Sequence, residues 1–174
     1  MKILKIVLLF LCVVSCAPIY VNYDYEKTTN FSDYKTYHFY DDMDTGFTGL
    51  DEKRFILALE TKLNTMGLTK SETPDFVIDL KSNEYHEGQR NTVGVGLGGG
   101  NVGLSGGGVS IGIPMGQEKI NREIIVEFVD DSKTGLFWQV RSVSSFNPNA
   151  TPEKREAKLD AIVEKMFTEY PPKK

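Results

Sequence analysis

The sequence is poor in the residues from which most catalytic centres are built. It holds two cysteines, two histidines and one tryptophan in 174 residues. The histidines, His38 and His86, fall on separate strand-like segments. Glu84, His86 and Glu87 offer at most a partial ligand set, with no further residue at a metal-binding spacing. No metal and no cofactor is therefore expected. Ser105 and Ser110 lie among glycines without an adjacent base, and Asp130-Asp131 sits in a turn-forming stretch. No nucleophile or acid–base set emerges from these, so a non-catalytic protein is expected. Positive charge is also scarce: 20 basic residues face 24 acidic ones with no long basic run, which argues against a nucleic-acid partner. No apolar stretch approaches the about 20 residues that span a bilayer.

The beginning of the chain is more informative. Lys2 and Lys5 precede an unbroken apolar run, Ile6 to Val14, and Ser15 supplies the small residue before a cleavage point. This is the layout of a secretory signal peptide over residues 1–15. Val13-Val14-Ser15-Cys16 resembles the bacterial lipobox, which implies cleavage between Ser15 and Cys16 and a diacylglyceryl and N-acyl lipid on Cys16. Val13 stands where that pattern most often has Leu. Cys12 leaves with the signal, so the mature chain, residues 16–174, has one acylated cysteine and no disulfide. Each buried methylene of an acyl chain contributes about 0.8 kcal/mol, enough over several chains to make the membrane a permanent partner. Lys2 and Lys5 also leave, so 18 basic side chains face 24 acidic ones. The expected location is the cell envelope, as an outer-membrane lipoprotein facing the periplasm; surface exposure stays open. A second envelope protein is a further expected partner.

The mature chain has the length of one domain that buries its own core. Ile19, Val21, Tyr23 and Tyr25 alternate as a strand whose start lies roughly 10 Å of extended chain from Cys16. Tyr34 to Tyr40 reads as a second strand paired with the first. Tyr37 and Phe39 take one face; Tyr34, Thr36, His38 and Tyr40 take the other. Six of the eight tyrosines lie between Tyr20 and Tyr40. They form either an aromatic platform or, on the simpler reading, half-buried strand residues with hydroxyls at the water edge. Asp51 to Met66 has helical spacing through Phe55, Ile56, Leu59 and Leu63, and Gly67 suits its end. Pro74 precedes a strand whose buried face is Phe76, Ile78 and Leu80. Ile120 to Val129 is apolar on both faces, as in a central strand. A turn at residues 130–135 returns the chain through Leu136 to Phe146. Thr151, Pro152 and Glu153 open a final helix carrying Leu159, Ile162, Val163 and Met166.

Between the middle strands, ten of the twenty residues from Gly94 to Ile113 are glycine. Residues 93–113 read as a glycine-rich hairpin arm with an aliphatic face: Val93, Val95 and Leu97 outward, Val109, Ile111 and Ile113 returning. Gly94-Val95-Gly96-Leu97-Gly98-Gly99 fits G-x-G-x-x-G, but no helix follows to hold a pyrophosphate, so a nucleotide loop is not expected. The arm is either an unordered insertion, given the ordering entropy of glycine, or a segment that orders on lipid or on a partner's sheet edge.

These elements predict an α+β fold: an antiparallel-rich sheet of about five strands in the order ββαβββα, with two helices on one face and the arm projecting. The chain also resembles the lipoprotein family known as domain of unknown function 4136. The resemblance is carried by Val21-Asn22-Tyr23-Asp24-Tyr25, Asn30-Phe31-Ser32-Asp33-Tyr34-Lys35-Thr36-Tyr37, Met66-Gly67-Leu68 leading to Pro74-Asp75-Phe76, Thr134-Gly135-Leu136-Phe137-Trp138, and Ile162 to Pro172. It implies a bacterial envelope lipoprotein with an α+β domain and supplies no catalytic residues. The expected role is a lipid-anchored binding or assembly module. The alternative is a small-ligand binding protein with a pocket between sheet and helices, gated by the arm.

Overall fold

A computed structural model describes residues 18–87, 119–133 and 135–173. Ser15, Cys16 and the arm residues Val93, Val95, Leu97, Val109, Ile111 and Ile113 lie outside them. The described chain runs β1 (Ile19–Tyr25), a 3-10 turn (Phe31–Asp33), β2 (Thr36–Phe39), α1 (Gly49–Thr65), β3 (Thr69–Lys70), β4 (Phe76–Glu87), β5 (Lys119–Asp130), β6 (Gly135–Phe146) and α2 (Pro152–Met166). The fold is α+β, with one sheet of six strands where about five were expected, in the order β1-β6-β5-β4-β2-β3. The added member is β3, two exposed residues that no alternation could announce.

The pairing differs from the sequence expectation at β1 and β2, which are not neighbours in the sheet. β1 lies antiparallel on β6, from Ile19 opposite Ser144 to Tyr25 opposite Trp138. β2 lies parallel to β4, with Tyr37 opposite Phe76 and Phe39 opposite Ile78. The segment between β2 and β4 contains α1, and a helical crossover is what a parallel neighbour requires. Asp75 fixes that register: its Oδ2 accepts from the Lys35 and Thr36 backbone N–H groups and the Thr36 hydroxyl, each at 2.9 Å. These bonds hold the Asp75 carboxyl below its ordinary value. β4, β5 and β6 form the antiparallel meander expected of them.

One face of the sheet is apolar and carries both helices. Opposed residues such as Ile78 and Phe128, Leu80 and Val126, and Val126 and Val140 share that face. They join Phe55, Leu59 and Leu63 of α1 and Leu159, Ile162, Val163 and Met166 of α2 in one core. The other face carries polar pairs, among them Lys81 with Asp79 at 2.7 Å and with Glu127 at 3.1 Å. The β5–β6 ladder skips Phe137 between the pairs at Trp138 and Leu136. This bulge lets the consecutive Phe137 and Trp138 both enter the core, where strict alternation would expel one. Tyr34, expected on the outer side of β2, precedes the strand instead. It is buried, and its ring stacks on Phe137 with centroids 4.2 Å apart. Thr151 and Pro152 open α2 as expected, although the Thr151 hydroxyl makes no capping bond to the backbone.

Past Phe39, the chain continues along the edge of β4: Tyr40 N–H donates to the Ile78 carbonyl at 3.1 Å, and Ser82 N–H to the Thr45 carbonyl at 2.7 Å. Gly46 makes this approach possible. Its φ is +65°, and a β-carbon there would lie 2.2 Å from the Ser82 carbonyl oxygen. Gly46→Ala should therefore lower the urea midpoint by the equivalent of about 1–3 kcal/mol, the scale of backbone strain alone, with the clash adding to it. A midpoint within error of wild type would show that this loop is free to lift from β4.

Candidate functional site

Three elements each place a charged residue in a row of core side chains. In α1 the buried row is Asp51, Phe55, Leu59 and Leu63, at helical four-residue spacing. In α2, Arg155 stands one turn before the buried Leu159. In β5 the inward row is Arg122, Ile124, Val126, Phe128 and Asp130. Arg122, Asp51 and Arg155 meet at one margin of the core.

Asp51 is their centre. It is 1% exposed. Its Oδ2 accepts from Arg122 Nη1 at 3.0 Å and Arg155 Nη1 at 2.8 Å, and its Oδ1 from Arg54 Nη1 at 2.9 Å. Burial pushes the Asp51 carboxyl up, but hydrogen bonding and charge from Arg122, with Arg155 and Arg54 behind it, outweigh this and hold it below its ordinary value. Arg122 is itself 4% exposed and reaches its cross-strand neighbour Glu84, donating from Nη2 at 2.6 Å and Nε at 3.2 Å. Its guanidinium lies 3.8 Å from the Phe146 ring centroid and 5.2 Å from that of Phe47. Arg155 also donates to the carbonyls of Ala150 and Pro148, tying the β6–α2 loop to the network.

Beside this network, between α2 and the β1–β6 edge, lies a cavity of about 650 Å³. That is within the few hundred to about 1,000 Å³ of small-molecule sites. Its lining changes character along α2. Lys154 and Arg155 stand on the first turn and Ala161 and Ile162 about two turns on, while Arg122, Phe146 and Ile19 line it from the sheet. Lys158 lies between, and among the described residues no acidic side chain lines the cavity.

The sequence-selected residues fare unevenly. Glu84, considered as a metal ligand, is held by Arg122. His38 Nδ1 lies 2.7 Å from the Phe39 carbonyl, and His38 does not line the cavity. Among the described residues no group of three or more His, Cys, Asp or Glu side chains is placed to hold a metal ion. The tyrosines do not form one platform: Tyr34 and Tyr37 are core residues, while Tyr20, Tyr23 and Tyr40 are exposed. Asp130 forms the expected turn, accepting from Ser132 N–H at 3.0 Å and its hydroxyl at 2.6 Å, yet also accepts from the buried Tyr34 hydroxyl at 2.9 Å. The charged network and its cavity went unread. The available clue was Arg122 at an inward position of an alternating strand, with acidic and basic residues one turn ahead of each helix's apolar row.

The chain belongs to the family described as Domain of unknown function (DUF4136), whose sequence profile matches residues 21–172. No curated protein matches it. Among solved structures, a PDZ domain protein from Parabacteroides distasonis ATCC 8503 is similar in fold at 15% identity and a TM-score of 0.55, over 90% of this chain and 37% of that protein's length. A PelC dodecamer from Paraburkholderia phytofirmans aligns at 9% identity and a TM-score of 0.49, over 86% of this chain and 95% of that one. Among the described residues, no helix is long and apolar enough to cross a membrane.

Proposed function

We propose that this member of the family is a non-catalytic binding module of the bacterial cell envelope. It is held by a lipidated Cys16 at the periplasmic face of the outer membrane, and its ligand site is the cavity between α2 and the β1–β6 edge. One observation carries the reading: Ile19, three residues after Cys16, lines that cavity. A lipid on Cys16 would be joined to the cavity by roughly 10 Å of extended chain, so a ligand arriving from the membrane or leaving for it would have a short path. The non-catalytic part rests on how the ionisable groups are used. Asp51, Glu84, Arg54, Arg122 and Arg155 bind one another, and a fully paired network positions and recognises rather than transferring protons.

Two measurements test this. Cys16→Ala should leave an unprocessed or soluble protein after membrane fractionation, while mass spectrometry of the native protein should find acylated Cys16 at its N-terminus. An unmodified thiol there removes the anchor. Small molecules extracted from protein purified out of native envelopes should include a species absent from Ala161→Trp, whose indole fills the cavity. Identical extracts from the two proteins would remove the cavity as the ligand site.

A further inference from the structure

The two margins of the sheet are built differently. One, β3, is two residues long, and its Lys70 is paired with Glu60 at 3.0 Å. A short strand carrying a lysine is a common way to keep an edge from pairing with another chain. The other margin, β1, runs for seven residues, Ile19 to Tyr25, with no proline, no basic residue and no break in its register with β6. Among the described residues no strand lies beyond it. Tyr20 and Tyr23 on it are 67% and 43% exposed.

The direction of each backbone group in β1 follows from one bond. Glu26 N–H donates to the Phe137 carbonyl at 3.0 Å, so in the antiparallel register Asp24, Asn22 and Tyr20 also turn their N–H and C=O groups toward β6. Those of Ile19, Val21, Tyr23 and Tyr25 point off the edge. Of these four donors, only Tyr25 N–H meets an acceptor among the described residues, Asp24 Oδ1 at 2.9 Å.

A second copy of β1 fits this row. Outward residues must oppose outward residues, and only a two-fold axis at Asn22, the middle of the strand, then opposes all seven. Val21 meets Tyr23 of the second copy, Ile19 meets Tyr25, and Tyr20 meets Asp24. Val21 and Tyr23 exchange both of their backbone bonds, and a β-branched residue against an aromatic one is a favourable cross-strand pair. Asp24, the only charge on the strand, stands clear of its own copy. An axis at Asp24 would instead set the two carboxylates opposite each other. The strand is thus complementary to itself in one full register.

We infer that the protein forms a two-fold dimer through β1, antiparallel about Asn22, so that the sheets of two copies become one. The dimer does not depend on what the cavity holds.

Two experiments on the full chain test it. Sedimentation equilibrium in density-matched detergent should show a dimer whose population rises with concentration. Tyr23→Pro removes an outward donor and leaves the bonds of β1 to β6 in place. It should weaken dimerisation about tenfold or more, since one backbone bond is lost on each side of the axis. Tyr23→Lys, which charges the edge, repeats the test if the proline variant does not fold. In the second experiment, cysteine variants and wild type are oxidised in parallel. Asn22→Cys should give a disulfide-linked dimer beyond the wild-type background, because opposed residues of a non-hydrogen-bonded pair have Cα atoms about 4.5 Å apart. Asp24→Cys, displaced along the strand from its own copy by about 13 Å, should not. A monomer at every concentration overturns the dimer. A dimer unaffected by either Tyr23 variant in a folded protein overturns the assignment to β1. Equal crosslinking at Asn22→Cys and Asp24→Cys overturns the register. A photo-crosslinker at Tyr23 that captures another envelope protein and no second copy gives the edge to a different occupant and also overturns the dimer.

Discussion

Asp51→Ala is expected to destabilise the protein by about 3–5 kcal/mol, the range for removing one partner of a buried ion pair. The size follows from what remains. Arg122, 4% exposed, keeps only the partly exposed Glu84, and Arg155 keeps only its carbonyl acceptors. Urea unfolding at neutral pH measures the loss. The double variant Asp51→Leu/Arg122→Met should recover much of it, because no buried charge is then left without its partner. Additive single effects would show that the two residues do not act together. The loss should also depend on pH. The Asp51 carboxyl is held below its unfolded-state value, so its contribution is fully present above that value, about 3.9, and disappears as pH falls through the folded-state value. The gap between wild type and Asp51→Ala should therefore narrow in acid. A gap that stays constant well below pH 4 would mean that the charge of Asp51 is not what matters. Asp75 and Asp130 are held low as well, so both proteins should still lose stability in acid, and the difference between them isolates Asp51.

Phe128→Ala is expected to cost about 3–5 kcal/mol, the range for emptying a buried aromatic site. Phe128 is fully buried, and its ring centroid lies 4.6 Å from that of Phe76, 4.6 Å from Trp138 and 5.5 Å from Tyr170. These rings come from β4, β6 and the chain beyond α2, so the cavity would lie where separate parts of the fold lean on one ring. Loss of near-ultraviolet circular dichroism from Trp138, alongside a lowered urea midpoint, is the measurement. Leu136→Ala, at a 48% exposed neighbour in β6, should change stability by no more than about 0.5 kcal/mol. Equal effects at the two positions would contradict this account of the core.

Much of this architecture was legible in the residues. The apolar rows of α1 and α2 are written at four-residue spacing, and the turn at Asp130 announces the β5–β6 hairpin. Partnership was not legible. Alternation in Ile19, Val21, Tyr23 and Tyr25 says that a strand exists and which side is apolar, but says nothing of whether its neighbour is β2 or β6. Local order made β2 the natural choice, and the tertiary fold placed β1 on the far edge. The bulge at Phe137 was hidden for a related reason, since two adjacent inward residues contradict the very period used to find strands. The cavity was hidden because it exists only where β1, β6 and α2, distant in sequence, come together. Arg122 is the instructive case. It stands between Asn121 and Glu123 as though in a polar interruption, yet the count from Ile124 places it inward, and an inward arginine demands a buried partner.

The seating of β1 against β6 also orders events in time. A chain is synthesised from its beginning, so Ile19 to Tyr25 precedes its ladder partners, Trp138 to Ser144, by more than a hundred residues. Until then the strand has nowhere to dock, and long loop closure makes such a step slow. A product cut short anywhere ahead of β6 would carry an orphaned, tyrosine-rich ribbon, ready to pair with a stranger. For the cell, quality control of this protein amounts to asking whether its final third has been delivered.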